Sequence, residues 1–311
     1  MPHAVIFPGQ GAAAPGVGHA WVDHPAWSVV TEAESVLERP LARLLLDADA
    51  AELATTRSSQ LAVFLTSLVV WDALAPTLDE HPVAFAGHSL GQVTALVAAG
   101  ALSRRDGFRL AARRADLSQS SADANPGRMA ALIGAELDDA QRLTDAVDDL
   151  WVANDNAPGQ VVVAGTPEAI ERAAKVAPDL GIRKLKPLAV GHAFHTPLLA
   201  DAAAELRPLL DTFTFAEPSA PVVANTDGLP HTLPEEWPVQ MSRHLVEPVR
   251  WRACQKALVA AGSDTFLEVG PGRVLAGLAK RTVPDVTVHS LSQPDEVAAL
   301  GPVAQISEVA R

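Results

Sequence analysis

The sequence predicts an α/β fold, in which a large domain with a mostly parallel sheet carries a small inserted subdomain. Three observations support this fold class. Short apolar runs alternate with helical patterns, a glycine-flanked serine stands between a strand and a helix, and a β-α-β-β-α-β succession fills the middle of the chain. With 311 residues, 48% of them apolar, the chain is long enough to bury a substantial core.

The large domain is predicted from the order of its elements. His3–Phe7 is predicted to be a buried strand before the turn Pro8-Gly9-Gln10-Gly11, and Val83–Ala86 to be a second strand. An alternation of strands and helices is typical of a layered domain with a parallel sheet. The apolar spacing predicts helices over 26–46, 58–75, 92–99, 104–121, 197–210 and 249–261, and strands over 222–224 and 266–269.

The middle of the chain predicts a ferredoxin-like subdomain. Strand patterns at 128–134, 150–154, 160–164 and 182–188 alternate with helical patterns at 138–147 and 167–176. We therefore expect a small subdomain over 127–191, inserted into a large domain that comprises 1–126 and 192–311.

Composition and charge argue against several classes of function. A net charge of −13 disfavours a nucleic-acid partner, which requires a basic face. The longest apolar run, Leu61–Ala75, contains Thr66, Ser67 and Asp72, so it predicts a buried helix and no membrane partner. The first residues lack a signal-peptide pattern, and the single cysteine, Cys254, rules out an internal disulfide or a cysteine-rich zinc site. We expect a cytoplasmic protein with no bound metal.

The segment Gly87-His88-Ser89-Leu90-Gly91 predicts a nucleophilic serine. It follows an apolar strand and precedes a helical stretch, which is the context that a G-x-S-x-G nucleophile elbow requires. The turn is so tight that side chains at its flanks would clash with the backbone, so glycines flank it. Ser89 is therefore expected at the end of a strand, with the following helix N-terminus directed at it.

A serine nucleophile needs a general base, and His195 is the strongest candidate among the 10 histidines. It stands in a loop before a helix that Pro197 can start, and it follows the serine in chain order as in α/β hydrolases. The alternative for His195 is a surface or helix-capping role.

An oxyanion hole is the second requirement, and backbone N–H groups can supply it. The N–H of Leu90, directly after the serine, is one natural donor. The turn Gly9-Gln10-Gly11, at the end of the first strand, is placed to give another. The alternative for this turn is an ordinary connection from strand to helix.

Five motifs resemble, in the same order, those of malonyl-CoA:acyl-carrier-protein transacylases and of the acyltransferase domains of polyketide synthases. They are Phe7-Pro8-Gly9-Gln10-Gly11, Gly87-His88-Ser89-Leu90-Gly91, His192-Ala193-Phe194-His195, Pro248-Val249-Arg250-Trp251 and Glu268-Val269-Gly270-Pro271-Gly272. The resemblance covers nearly the whole chain. It implies a hydrolase-like large domain with a ferredoxin-like insertion, and an active site between them.

The resemblance implies a ping-pong transfer. A malonyl group would pass from malonyl-CoA to Ser89, with His195 as general base, and then to the phosphopantetheine thiol of an acyl carrier protein. Gln10 and Leu90 would give the oxyanion-hole N–H groups, and a backbone carbonyl, for which this sequence offers Arg250, would orient His195. No bound cofactor is implied, because the chemistry is thioester exchange.

The resemblance also implies residues that bind the acyl group. Arg114 aligns with the arginine that pairs with the malonyl carboxylate, a bidentate geometry that lysine cannot reproduce. Neighbouring Arg113 leaves the register open by one position, since Ala115 stands where the family usually has glycine. Three further polar residues fall at family active-site positions: Gln60, His88 and Asn154.

The segment His192-Ala193-Phe194-His195 resembles the form associated with malonyl-selective domains, whereas methylmalonyl-selective relatives tend to carry Tyr-Ala-Ser-His. Phe194 would crowd the space that an α-methyl group needs, and one methyl group is worth about 1–3 kcal/mol of discrimination. We therefore include His192 and Phe194 among the expected substrate-binding residues.

Three alternatives stay open. The protein could be a discrete acyltransferase that serves a polyketide synthase in trans with a different acyl group, a serine thioesterase or hydrolase that passes the acyl group to water, or a scaffold that docks the carrier protein. Carrier proteins are typically acidic, as this chain is, so docking should use local basic residues. The candidates are Arg183, Lys184, Lys186, Arg273, Lys280 and Arg281.

Overall fold

The computed structural model describes residues 2–300, which form two sheets with helices packed against them. The larger sheet has the strand order β10-β9-β1-β2-β7-β8, and its neighbouring strands are parallel except for β7 and β8, which are antiparallel. The strands are β1 (His3–Phe7), β2 (Ala84–Gly87), β3 (Arg128–Ile133), β4 (Leu150–Ala157), β5 (Gln160–Gly165), β6 (Leu185–Pro187), β7 (Val222–Val223), β8 (Pro230–His231), β9 (Thr265–Val269) and β10 (Thr287–Leu291).

The α-helices surround the two sheets and are joined by loops and short 3-10 turns. They are α1 (Ser28–Leu37), α2 (Leu41–Leu46), α3 (Ala50–Leu53), α4 (Thr56–Leu74), α5 (Gly91–Ala98), α6 (Arg104–Ala124), α7 (Leu137–Ala146), α8 (Pro167–Val176), α9 (Ala200–Leu210), α10 (Trp237–Arg243), α11 (Trp251–Ala260), α12 (Val274–Thr282) and α13 (Pro294–Leu300).

The register of the parallel sheet brings its two glycine-rich turns together. All five residues of β1 are buried, as expected for a strand covered on both faces. Phe7, the last residue of β1, pairs with Gly87, the last residue of β2. The turn after β1 and the serine turn after β2 therefore meet at the carboxyl edge of the sheet, where ligands bind in open α/β folds.

The second sheet has the strand order β4-β5-β3-β6, and all its neighbours are antiparallel. Alternate residues face opposite sides. Ala130 and Leu132 pack with residues of α7 and α8 in a small core, whereas Met129 and Val162 belong to the core of the large domain. One face of this sheet thus closes over the carboxyl edge of the larger sheet.

The predicted fold class is confirmed, with its parallel sheet and its β-α-β-β-α-β insertion. The boundaries at 127 and 191 stay predictions, and residues 1 and 301–311 of the predicted large domain lie outside the described residues. One helical segment, Thr56–Thr77, is long and apolar enough by composition to cross a membrane, but most of it is buried inside the protein. The expectation of a buried helix at Leu61–Ala75 is therefore confirmed.

The prediction of one helix over 26–46 is wrong. The chain forms α1 and α2 with a break between them, because Glu38 adopts a left-handed conformation (φ 53°) and Pro40 follows two residues later. Proline cannot donate the hydrogen bond that a helix interior needs, so the second helix starts only after it.

Candidate active site

Ser89 lies in a sharp turn between β2 and α5, as the sequence predicts. Its backbone is left-handed (φ 51°), an unfavourable conformation for a residue with a side chain. A Cβ at Gly87 would overlap the backbone of Gly91, and a Cβ at Gly91 would overlap the carbonyl of Phe7. Both flanking glycines are therefore required by close backbone contacts.

The imidazole of His195 faces the serine hydroxyl. Its Nε2 lies 2.8 Å from Ser89 Oγ, and its Nδ1 lies 2.9 Å from the carbonyl oxygen of His244. A carbonyl can only accept, so we assign the proton to Nδ1, which leaves the Nε2 lone pair free for the hydroxyl proton. His195 is buried and, like Ser89, has a left-handed backbone (φ 60°).

The prediction that the Arg250 carbonyl orients His195 is wrong. The accepting carbonyl belongs to His244, at the end of α10. Arg250 immediately precedes α11, and its carbonyl accepts from the N–H of Cys254 in the first turn of that helix. Its guanidinium donates to the carbonyl of Thr226 instead. The expectation that a backbone carbonyl fills this place agrees with the structure, but its position differs.

Burial sets the charge state of the base. It lowers the pKa of His195 to about 3, and the positive charge of Arg114 acts in the same direction. The imidazole is therefore neutral near pH 7, which is the state that can accept the serine proton.

Arg114 extends from α6 to the serine. Its Nη2 donates to Ser89 Oγ (3.2 Å), its Nη1 donates to Gln60 Oε1 (2.5 Å), and its Nε has no partner among the described residues. The residue is 3% exposed, and burial lowers its pKa to about 10, so it carries its charge near neutral pH. Arg113 lies on the surface and pairs with Glu205 at 3.0 Å.

Two backbone N–H groups are available at the serine. Within residues 2–300, the N–H groups of Gln10 and Leu90 donate to no protein acceptor, whereas the N–H of Ser89 is bonded to Asn225. Gly11 donates to Ser59 Oγ (3.0 Å), which fixes the turn after β1. The predicted pair of donors is thus free to bind an oxygen.

A cavity of about 260 Å³ opens on Ser89, His195 and Arg114. The remaining predicted residues on its wall are polar or aromatic: Gln10, Gln60, His88, Asn154 and Phe194. Four apolar residues of the lining come from the antiparallel sheet and the segment after it: Met129, Val162, Leu188 and Val190. The cavity therefore combines a buried cation and a nucleophile with apolar side chains.

A model of the acyl transferase domain family matches residues 5–305. The chain belongs to this family. It is 33% identical over 300 residues to the malonyl CoA-acyl carrier protein transacylase of Bacillus subtilis, covering 94% of each chain. It is 35% identical over 303 residues to the enzyme of that name from Escherichia coli, covering 95% of this chain and 97% of the relative.

Comparison with solved structures supports the same family for this acyl transferase. A malonyl-transacylase solved in complex with a type II polyketide synthase acyl carrier protein matches with a TM-score of 0.91 and 32% identity, covering 96% of this chain and 98% of that one. An acyl carrier protein S-malonyltransferase from Vibrio cholerae matches with a TM-score of 0.91 and 33% identity, covering 96% and 100%. The family resemblance predicted from the five motifs is confirmed.

His192 does not line the cavity, so its expected place in substrate binding is wrong. Its ring nitrogens lie 3.0 Å from the carbonyl of Asn125 and 3.2 Å from Ser121 Oγ, and its ring packs edge-on against Phe194. His192 is fully buried behind Phe194. It therefore fixes the loop that carries Phe194 and His195.

Three residues at the site of the acyl transferase had no sequence prediction. Asn156 Oδ1 accepts from His88 Nε2 (2.8 Å), which makes Nε2 the protonated nitrogen of a ring whose pKa burial lowers. Asn156 is two residues after Asn154 on β4, and this spacing was a usable signal, since it places both side chains on one face. Asn225 and His244 act through contacts that no local pattern reveals.

No residue of the motif Glu268–Gly272 lines the cavity. The buried carboxylate of Glu268 accepts from the N–H groups of Leu275 and Ala276 and from Ser290 Oγ, at 2.8–3.1 Å. It therefore caps the N-terminus of α12, although burial raises its pKa. Between residues 2 and 300, no three His, Cys, Asp or Glu side chains are grouped as metal ligands.

Proposed function

We propose that this acyl transferase moves a malonyl group from malonyl-CoA to the phosphopantetheine thiol of an acyl carrier protein, through an ester on Ser89. The observation that carries the proposal is the buried guanidinium of Arg114, 3.2 Å from the serine oxygen. A buried charge is costly unless it is paired. An acyl group that ends in a carboxylate supplies the partner.

The first half-reaction follows from the geometry of Ser89 and His195. The serine oxygen attacks the thioester carbonyl carbon while its proton passes to Nε2 of His195. The N–H groups of Gln10 and Leu90 bind the oxyanion, the carbon–sulfur bond breaks, and the departing thiolate takes the proton from His195. The products are the malonyl ester of Ser89 and coenzyme A.

The second half-reaction is the reverse with a new thiol. His195 accepts the proton of the phosphopantetheine thiol, whose sulfur attacks the ester carbonyl. The oxyanion collapses, the bond to the serine oxygen breaks, and His195 returns the proton to Ser89. The same groups thus serve both directions, and the malonyl group leaves as a thioester of the carrier protein.

Arg114 has one edge available for the malonyl carboxylate. Among residues 2–300, its Nη1 is bonded to Gln60 and its Nη2 to the serine oxygen, while its Nε has no hydrogen-bond partner. The Nε–Nη2 edge matches the two oxygens of a carboxylate in a bidentate pair. Gln60 fixes the guanidinium plane, because it accepts from Nη1 and its amide nitrogen donates to Gln10 Oε1 (3.3 Å).

The carrier protein is supported as acceptor by the relatives, one of which was solved with its acyl carrier protein. Each group of expected docking residues has members close in the chain to a residue that lines the cavity. Arg183, Lys184 and Lys186 are exposed beside Leu188, and Arg273 adjoins Val274 of the cavity wall. The absence of a bound cofactor and a cytoplasmic location stay predictions from the sequence.

The proposal is tested by incubating the protein with [14C]malonyl-CoA and mapping the label. We expect one labelled peptide, which contains Ser89, and transfer of the label to added carrier protein. Ser89→Ala should abolish labelling, while Ser120→Ala, on the exposed face of α6, should not. A folded wild-type protein without label would refute the proposal, and rapid release of free malonate without carrier protein would instead identify a thioesterase.

A further inference from the structure

The side chain of Asn225 closes the backbone of the serine turn. This residue is fully buried two positions after β7, the strand beside β2. Its Nδ2 donates to the carbonyl of Gly87 (2.8 Å), and its Oδ1 accepts from the N–H of Ser89 (2.8 Å). One amide thus bonds the backbone on both sides of His88. The backbone N–H of Asn225 donates to Gln92 Oε1 in α5 (2.8 Å), which holds Asn225 in place through its main chain.

The serine needs such a support because its backbone is strained. A left-handed residue with a side chain persists only where its surroundings hold the conformation. The N–H of Ser89 and the carbonyl of Gly87 would otherwise be buried without these partners, which favours relaxation of the turn. Relaxation would move Ser89 Oγ away from His195 Nε2, and a displacement of about 1 Å can cost about 100-fold in rate.

His244 connects this amide to the base. Its imidazole Nε2 lies 3.1 Å from Asn225 Oδ1, while its carbonyl accepts from His195 Nδ1. Burial holds the pKa of His244 well below its usual value, with the charge of Arg114 acting in the same direction. The ring is therefore neutral and donates from Nε2 to the amide oxygen. Its Nδ1 has no partner among the described residues.

We propose that Asn225 is a positioning residue for the nucleophile, and that the imidazole of His244 couples it to the general base. The bonds run from Ser89 through Asn225 and His244 to His195, so the two reacting side chains are aligned by one buried chain of hydrogen bonds. The inference rests on the proposed nucleophilic role of Ser89. It concerns how fast that oxygen reacts, rather than which acyl group it accepts.

The test measures the reactivity of Ser89 in two ways. One is the rate of inactivation by a fluorophosphonate, which needs no acyl substrate, and the other is acyl-enzyme formation from malonyl-CoA by rapid quench. Asn225→Ala and Asn225→Asp should each lower both rates about 10- to 100-fold, with the KM for malonyl-CoA within about twofold of wild type. Thr226→Val is the matched control, because within the described chain its buried hydroxyl bonds to Gln240 and to no group of the serine turn. It should lower the Tm without changing either rate.

His244 gives a second pair of variants that does not depend on the folding of the Asn225 variants. Glutamine places an N–H as many bonds from Cα as histidine Nε2, so His244→Gln should react within about threefold of wild type. His244→Phe keeps the backbone carbonyl but has no donor. Its rate should be at least about 10-fold below that of wild type. Equal rates for the Gln and Phe variants would overturn the coupling, as would a folded Asn225→Ala protein that reacts at the wild-type rate.

The two proposals fail differently. A wild-type protein that reacts with the fluorophosphonate at Ser89 but not with malonyl-CoA would refute the malonyl transfer and leave the positioning test intact. Labelling by malonyl-CoA combined with unaffected Asn225 variants would refute only the positioning role.

Discussion

Arg114 places a guanidinium nitrogen 3.2 Å from the hydroxyl oxygen of Ser89, so nucleophile and cation meet in one buried cavity. The bond from the guanidinium of Arg114 to Gln60 fixes the orientation of the cation. An acyl group bonded to Ser89 would reach Arg114 with its far end. With the proposed role of Arg114, the short distance between the two groups suits a short acyl chain with a terminal negative charge.

Arg114→Ala should lower kcat/KM for malonyl-CoA by roughly 10²- to 10³-fold, since two charge-assisted hydrogen bonds are lost. Acetyl-CoA has no carboxylate, so its kcat/KM should change by less than about 10-fold. Arg114→Lys should remain impaired, because an ammonium cannot form the bidentate pair. Arg113→Ala removes an exposed arginine and is the control. Equal losses with both substrates would show that Arg114 does not bind the carboxylate.

The pH dependence of acylation should differ between free and substrate-bound enzyme. Burial, followed by the charge of Arg114, lowers the pKa of His195 to about 3 in the free protein. kcat/KM for acylation should therefore not change between about pH 8 and pH 5. A bound carboxylate neutralises Arg114, which raises the pKa of His195 and moves the acid limb of kcat upward in pH.

The comparison substrate for this profile is acetyl-CoA, which should give no such shift between kcat/KM and kcat. Stopped-flow measurements of acylation with both substrates would give the four profiles. An acid limb near pH 6.5 in kcat/KM would mean that His195 is not desolvated as the structure has it.

Phe194→Ser should broaden the acyl selectivity. Phe194 is buried on the cavity wall next to His195, and its removal opens space beside the acyl group. We expect the ratio of kcat/KM for methylmalonyl-CoA to that for malonyl-CoA to rise about 10-fold, in line with one methyl group of discrimination. Met129→Ala enlarges the cavity at another lining residue and serves as the comparison. An unchanged ratio in Phe194→Ser would assign the selectivity to another residue.

Arg252→Met should destabilise the protein by about 2–3 kcal/mol, because two carboxylates lose a charged partner. Arg252, on α11, pairs with Glu136 (2.6 Å) and Asp155 (2.9 Å) of the ferredoxin-like region and donates to the carbonyl of Ala157 (2.8 Å). Its side chain is 16% exposed. Chemical denaturation would measure the loss.

The control for Arg252 is Arg128→Met, which removes an exposed pair with Glu171 inside the ferredoxin-like region. That change should cost less than about 1 kcal/mol. Similar losses in the free energy of unfolding for the two variants would show that the ion pairs of Arg252 stabilise the protein no more than an exposed pair does.

Charge reversal of Lys184, Lys186, Arg273 and Arg281 to Glu should raise the KM for the carrier protein by about 10-fold or more. All four are exposed, and the effect should shrink with added salt. Acylation by malonyl-N-acetylcysteamine, which lacks the carrier protein and the nucleotide, should be unchanged. An unaltered KM would exclude this surface from docking.

The sequence predicts the residues whose local pattern carries chemistry, and misses those that act across long separations. Ser89 has two flanking glycines, and both are required by close contacts. His244 contributes a backbone carbonyl from 49 positions beyond His195. Every residue type has a backbone carbonyl, so the sequence cannot indicate which one accepts this hydrogen bond. For this reason the choice of Arg250 was wrong.

The side chain of Asn225 was likewise missed, because it acts on a residue far away in the chain. It bonds to Ser89 from 136 positions away, through a sheet neighbour that only the strand order reveals. The strands β8 and β10 and the helices α3, α10, α12 and α13 were also missed, since most of them are short and the surrounding contacts decide their conformation. The fold class was predictable because its periodic elements are long.

The apolar wall of the cavity and the reacting side chains come from different stretches of the chain. Met129, Val162, Leu188 and Val190 lie within the inserted region and the segment leading out of it, whereas Ser89 and Arg114 precede it. Substitutions in the inserted region can thus reshape the apolar part of the cavity while the groups that make and break bonds keep their places. Exchanging this stretch between relatives would separate its share of acyl selectivity from that of Phe194 and Arg114.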